Sequence, residues 1–116
     1  MSQIRPQRPP YQKGQKPLVS KPLRQHAAGQ TCTLREPGVC IGGTETVVFC
    51  HIRKPGFAGM GQKPHDLLGY YGCAACHAYE EAGNAGDGEI LRALMETLVR
   101  REAAGLIEVR AAPRDC

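Results

Sequence analysis

Four cysteines in two widely separated pairs constrain this chain more than any other feature of its sequence. Cys32 and Cys40 form the first pair, and Cys73 and Cys76 form a Cys-x-x-Cys pair further along. Structural zinc is tetrahedral, and proteins usually supply its ligands as two close pairs from two separate turns. The first pair is spaced more widely than usual, but a turn at Pro37-Gly38 would bring its members together. We therefore predict that the four thiolates bind one structural zinc ion.

Two other interpretations of these thiols remain open. Cys73 and Cys76 could form a redox pair like that of thioredoxin, although the surrounding βαβ pattern is missing, or the thiols could be buried without a ligand. Cys50 has apolar neighbours and is interpreted as a core thiol rather than a ligand. Cys116 lies at a chain end and is assigned no role.

The composition explains why such a chain would need a metal. Its 116 residues include no Trp and two Phe, but 14 Gly and 9 Pro. One small domain with a thin core usually depends on a disulfide or a metal for stability. The opening residues contain no apolar run of signal-peptide or membrane-spanning length, so we expect a cytoplasmic protein without a membrane partner. In that reducing compartment, clustered cysteines more often bind metal than pair with each other.

Positive charge is concentrated near the amino terminus. The net charge is +4, and the stretch from Met1 to His26 contains six basic residues and no acidic one. We predict three parts: a disordered, basic, Pro-rich arm at 1–22, a zinc-stabilised domain at 23–110 and a frayed end at 111–116. The arm could attract phosphate backbones, or it could be a solvated leader that keeps the protein soluble.

The hydrophobic pattern predicts an α+β domain. The run Thr46–Ile52 is rich in β-branched residues and is the clearest strand, and Thr31–Arg35 alternates like a second one. One helical turn is expected at Pro22–Ala28 and a short helix at Cys76–Ala82. A longer amphipathic helix should begin at Asp87 as its N-cap and turn an apolar stripe toward the core. The members of that stripe are Ile90, Leu91, Leu94, Leu98 and Val99.

Two histidines are placed where an imidazole could act chemically. His51 ends the strongest strand, where it could activate water while Arg53 or Lys54 holds a phosphate. His77 follows a cysteine predicted to bind zinc, so its ring would be rigidly placed and could bind a second metal. Asp66 could add a carboxylate ligand for magnesium, or it could cap a turn. Either histidine could also be an ordinary surface or core residue.

Several motifs together resemble a known group of nucleases. A strand that ends in histidine, followed by a loop and by Cys-x-x-Cys-His at the start of a helix, is similar to the HNH, or His-Me finger, nucleases. More closely, the chain resembles the YbcO-like family of phages and prophages, whose members are described as nucleases. The motifs that carry this resemblance are Gly29-Gln30-x-Cys32, Arg35-x-Pro37-Gly38-x-Cys40, His51-Ile52-Arg53, Gly59-Met60-Gly61-x-Lys63-x-x-Asp66-x-x-Gly69 and Cys73-x-x-Cys76-His77.

The resemblance implies a zinc-stabilised ββα-metal fold and a division of catalytic labour. His51 matches the general base that takes a proton from the attacking water, and His77 matches the ligand of a catalytic Mg²⁺ or another divalent cation. The four cysteines match the structural zinc site. The chain departs from the HNH pattern at Cys50, where an Asp is common, and the central Asn has no counterpart nearer than Asp66. Ala78 stands where related sequences tend to have an acid.

Three hypotheses for function follow from these observations. The first is a metal-dependent endonuclease that hydrolyses phosphodiester bonds in DNA during phage recombination or replication. The second is a non-catalytic, zinc-stabilised nucleic-acid-binding module. In both, Arg53, Lys54 and Lys63 are candidate nucleic-acid contacts. The third is a structural protein whose zinc-bound cysteine cluster presents a surface to a partner protein.

Overall fold

The computed structural model describes residues 16–54 and 64–110, which form a small α+β domain with a two-stranded sheet and helices. The described elements are α1 (Lys21–Gln25), β1 (Val48–His51), β2 (Gly69–Gly72), α2 (Ala74–Glu81) and α3 (Asp87–Ala103). Most of the predicted arm and loop, including Lys63, and the predicted frayed end lie outside the described residues. Among the described helices, none combines the length and the apolar character needed to cross a bilayer.

The sheet pairs a predicted strand with one that the sequence did not indicate. β1 lies within the predicted Thr46–Ile52 run, shortened at both ends, and pairs antiparallel with β2 so that His51 lies opposite Gly69. All four residues of β2 are buried. A Gly-Tyr-Tyr-Gly segment offers only two side chains, so no alternating pattern could reveal it.

The two tyrosines of β2 attach the sheet to helices on opposite sides. Successive side chains of a strand point to opposite faces. The Tyr70 hydroxyl donates to Glu80 of α2 at 2.9 Å, whereas the Tyr71 hydroxyl accepts from Nε of Arg101 on α3 at 3.2 Å. The strand is therefore enclosed by the two longer helices.

The long C-terminal helix is present, but its buried face differs from the predicted stripe. The residues of α3 that are buried are Ile90, Ala93, Thr97 and Arg101. The predicted core residues Leu91 and Val99 are 56% and 67% exposed, so that part of the prediction is wrong. Hydrophobicity alone misplaced the face because half of its buried residues are polar and hydrogen-bond to their neighbours. The N-cap is Gly86 rather than Asp87, which is the first helical residue.

The predicted strand at Thr31–Arg35 is absent, and the hydrogen bonds of this segment explain why. Its carbonyls accept from arginine side chains of α3, with Arg92 donating to Leu34 at 2.6 Å and Arg100 donating to Thr31 at 2.8 Å. Thr33 reaches β2 with its main-chain N–H and its hydroxyl, which both donate to the carbonyl of Tyr71. The segment is thus held beside the sheet by side chains rather than by a strand ladder.

Gly69 provides a test of the close packing beneath His51. A Cβ added at Gly69 would overlap the ring of Phe49 and lie 2.6 Å from the carbonyl oxygen of Cys50, which is main chain and cannot move aside. We expect Gly69→Ala to lower the free energy of unfolding by about 1–3 kcal/mol, measured by urea denaturation. The control is Gly88→Ala on α3, where a Cβ meets nothing within 4 Å and should be neutral or stabilising. Equal stabilities for the two variants would contradict the packing argument.

Candidate functional site

Four cysteine sulfurs converge at one end of the sheet. The Sγ atoms of Cys32, Cys40, Cys73 and Cys76 all lie within 4.8 Å of one another, and those of Cys73 and Cys40 are 3.9 Å apart. A zinc ion with Zn–S bonds of about 2.3 Å places its sulfurs about 3.8 Å from each other. The cluster therefore has the donor atoms and nearly the spacing of a tetrahedral thiolate site, and it could hold a metal ion such as zinc.

Two turns deliver these sulfurs. The Pro37-Gly38 turn is present, with the N–H of Cys40 donating to the carbonyl of Glu36 at 2.9 Å. Cys73 is the N-cap of α2, and its sulfur accepts from the N–H of Cys76 at 3.4 Å. α2 begins at Ala74, two residues earlier than predicted. Both cysteine pairs are thus fixed by local main-chain hydrogen bonds.

The protonation of the thiols also suits a metal. Burial opposes ionisation of Cys73, but hydrogen bonds from Ile41, Cys76 and Cys40 lower its pKa to about 7. Burial raises the pKa values of Cys40 and Cys76. A cation would favour the thiolate at all of these positions and would release protons on binding. Cys50 lies apart as predicted: it is buried, and burial raises the pKa of its thiol to about 12.

At the other end of β1, His51 is bound to a buried carboxylate. Nε2 of His51 lies 2.7 Å from Oδ1 of Asp66, and the His51 side chain is only 17% exposed. The ring of Phe49 packs edge to face against the imidazole with centroids 4.9 Å apart. The orientation of His51 is therefore fixed on two sides.

Asp66 has its other oxygen occupied as well. Oδ2 accepts from the N–H of Ser20 and from the Arg24 guanidinium, both at 2.7 Å. Burial acts to raise the pKa of Asp66, but the hydrogen bonds from His51 and Ser20 and the charge of Arg24 lower it below its ordinary value. With three donors already on the two oxygens, the carboxylate is better placed to orient His51 than to bind magnesium, which was one of its predicted roles.

A cleft of about 500 Å³ opens beside His51. It is lined by His51, Arg53, Lys54, Glu80, Glu81, Gly83, Ala85, Asp87 and Ile90. Two of the predicted nucleic-acid contacts, Arg53 and Lys54, thus share a cavity with the predicted base. Lys54 also forms an exposed ion pair with Asp87 at 2.7 Å.

His77 lies on α2 one turn before Glu80 and Glu81, the residues of this helix that line the cleft. Its Nε2 is 3.0 Å from Oε1 of Glu81, in an i,i+4 pair that is partly exposed. Within residues 16–54 and 64–110, the four cysteines are the only group of three or more potential ligands close enough to share an ion. Among these residues, no such group includes His77 or Asp66, and their metal-binding roles stay predictions.

Sequence reasoning missed the acids that line the cleft with His51 and the arginine that packs on Phe49. Glu80 and Glu81 follow His77 on α2, and helical spacing could have placed Glu81 on the same face as His77. Arg101 is fully buried beneath Phe49. No local pattern marks it, because its partners come from distant parts of the chain.

Comparison with known proteins places the chain in a family. The fold and the cysteine cluster define a small α+β protein with a candidate metal site at one end of its sheet and a carboxylate-bound histidine at the other. The sequence model of the family described as "Putative nuclease YbcO" matches residues 21–109. The chain belongs to this family.

Individual relatives agree with that assignment. The chain is 51% identical over 55 residues to proteins named "Putative nuclease YbcO" from Escherichia coli (strain K12) and from Enterobacteria phage 82. Each match covers 47% of this chain and 57% of the relative's length. A solved structure of a bacteriophage protein from Escherichia coli K-12 is similar with a TM-score of 0.58 and 33% identity. That match covers 72% of this chain and all of the solved chain.

The first prediction from this site concerns the thiols. We expect purified protein to contain one zinc per chain by elemental analysis. Cys76→Ser should lose the ion and on the order of several kcal/mol of folding free energy, because metal binding contributes directly to folding. Cys50→Ala is the matched control, since it removes a buried thiol outside the cluster and should retain zinc. Stoichiometric zinc in Cys76→Ser would rule out the cluster as its ligand set.

The second prediction concerns the pH dependence of stability. The pKa of Asp66 is lower in the folded chain than in the unfolded one, so its contribution is complete above the unfolded-state value of about 4 and is lost as the pH falls toward the folded value. Acid should thus destabilise the protein. Asp66→Asn should lower the free energy of unfolding by about 1–3 kcal/mol at neutral pH and should weaken its dependence on pH in the acid range. Chemical denaturation across pH checks both effects. Glu102→Gln, at an exposed carboxylate of α3, should change neither.

Proposed function

We propose that this protein is a metal-dependent endonuclease that hydrolyses phosphodiester bonds in DNA, with His51 as its general base. The observation that carries the proposal is the placement of His51 at the end of β1, hydrogen-bonded to buried Asp66 and facing a polar cleft. The order β1, β2, α2 with cysteines at one end supports a ββα-metal arrangement of the HNH type. Membership of a family described as nucleases supports the reaction class.

The hydrogen bond to Asp66 determines which nitrogen of His51 would act. An ionised carboxylate only accepts hydrogen bonds, so Nε2 carries a proton and donates it to Asp66. Nδ1 is then left with its lone pair and can take a proton from a water molecule in the cleft. The negative charge of Asp66 would stabilise the imidazolium that forms.

A catalytic divalent ion fits best near His77 and Glu81. The imidazole and the carboxylate lie 3.0 Å apart on one face of α2, and neither is deeply buried. Mg²⁺ prefers oxygen ligands and keeps several waters, so one carboxylate with one further side chain is a reasonable partial ligand set. When bound, such an ion would polarise the scissile phosphate and stabilise the departing oxygen.

The remaining side chains of the cleft would position the substrate. Arg53 and Lys54 line the same cleft as His51 and can contact phosphate oxygens on either side of the scissile bond. Lys54 would have to exchange Asp87 for a phosphate, which an exposed ion pair permits because such pairs contribute little. The proposed structural zinc, held by the four cysteines, would keep β2 and α2 in place beneath these residues.

The test is cleavage of plasmid and branched DNA by zinc-loaded protein with Mg²⁺ or Mn²⁺. His51→Gln keeps an N–H that can donate to Asp66 but lacks a base, so the rate should fall by on the order of 100- to 10,000-fold. His77→Ala should lose activity too, with partial recovery at high Mg²⁺ or Mn²⁺. Zinc content and circular dichroism of each variant exclude unfolding as the cause.

Two outcomes would reject parts of the proposal. A His51→Gln variant that cuts at the wild-type rate removes His51 from the role of base. A wild-type protein that binds DNA with steep salt dependence, yet cuts no substrate with any divalent ion, is the zinc-stabilised binding module instead.

A further inference from the structure

Arg101 is a charged residue in the interior with only neutral hydrogen-bond partners. Its side chain is 0% exposed, and its three nitrogens donate to the Tyr71 hydroxyl at 3.2 Å, the Asp66 carbonyl at 2.9 Å and the Leu23 carbonyl at 3.0 Å. Within the described residues, no carboxylate forms a salt bridge with it. Burying a guanidinium without a countercharge is costly, and apolar residues would usually pack such a site at less cost.

Three of the groups that Arg101 contacts are linked to His51, either directly or through further residues. One contact is to the main chain of Asp66, whose carboxylate binds His51. A second is to the ring of Phe49, which lies 4.3 Å from the guanidinium carbon and packs its edge against the imidazole. The third, Leu23, precedes the Arg24 that also binds the Asp66 carboxylate. Asp66 and Phe49, which orient His51, therefore both contact Arg101. Arg24, which binds the Asp66 carboxylate, follows a residue that contacts Arg101.

We propose that Arg101 is a positioning residue that holds Asp66 and Phe49 around His51, so that the imidazole keeps Nε2 on Asp66 and Nδ1 toward the cleft. The inference rests on the proposed function, because it assigns a purpose to the orientation of the proposed base. Arg101 itself contacts neither the cleft nor the reacting atoms.

The shape of the guanidinium explains why arginine is used here. Its planar fork offers donors in fixed directions, so one side chain can fix α1, the Asp66 segment and Tyr71 at once while its face packs on Phe49. A lysine ammonium is a single point that cannot reach all three acceptors with the same geometry. Arg101→Lys therefore keeps the charge and loses the fixed arrangement.

The neighbouring Arg100 supplies a matched control. It also fastens α3 to an irregular segment, donating to the carbonyl and hydroxyl of Thr31 at 2.8 and 2.9 Å. Its contacts lie toward the cysteine cluster and not toward His51. If α3 arginines serve only stability, Arg100→Lys and Arg101→Lys should behave alike at His51.

The experiment measures the imidazole of His51 directly in zinc-loaded protein. Long-range ¹H–¹⁵N NMR, at a pH where the imidazole is neutral, reports which ring nitrogen carries the proton. We expect a single Nε2-protonated tautomer in the wild type and in Arg100→Lys, and a mixture in Arg101→Lys. The cleavage rate of Arg101→Lys should fall on the order of 10- to 100-fold with zinc content unchanged.

The outcomes separate this inference from the proposed nuclease activity. An unchanged tautomer in folded Arg101→Lys overturns the positioning role, whatever the cleavage result. A mixed tautomer in a protein that never cuts DNA retains the positioning role and rejects the nuclease. If Arg101→Lys does not fold, Tyr71→Phe removes one acceptor of the guanidinium without altering the contacts of His51. A pure Nε2 tautomer in that variant then counts against the inference.

Discussion

The convergence of four sulfurs is the constraint on which the remaining structure depends. Cys73 directly follows β2 and caps α2, so a metal bound there would fix the end of the sheet and the start of the helix together. The other pair, Cys32 and Cys40, comes from a segment without regular structure. Such a segment has little apolar surface to hold it in place, and shared ligation is an efficient way to fix it.

Arginine side chains of α3 hold neighbouring segments in place by hydrogen bonds. In proteins with a larger apolar core, packing would have this role. Arg92 and Arg100 donate to main-chain carbonyls of the Thr31–Arg35 segment, and Arg101 donates to the carbonyls of Leu23 in α1 and of Asp66. Buried carbonyls need donors, and the two short strands of the described residues cannot supply them all from their own ladder. The same helix face consequently serves both as packing surface and as hydrogen-bond donor, which is why its buried residues are half polar.

The cleft and the cysteine cluster lie at opposite ends of the short sheet, and β1 links them. Val48 pairs with Gly72, next to Cys73, whereas His51 pairs with Gly69 at the far end. Each strand is only four residues long, so a loss of order at the cysteine cluster would also affect the proposed base. In the proposed nuclease, a metal held by the four cysteines would support the end of the sheet that carries His51.

The sequence by itself determined the cysteine cluster, most of β1, the three described helices and the position of His51 at the end of β1, because each has a local signal in spacing or periodicity. It did not reveal β2, the missing strand at Thr31–Arg35 or the true inner face of α3, since these depend on hydrogen bonds between distant segments. Tertiary structure alone decided that the Asp66 carboxylate binds His51 and that Arg101 packs against Phe49 and binds the main chain of Asp66. A buried polar group takes its role from the partners that folding brings to it, and those partners lie 15 to 78 residues away along the chain.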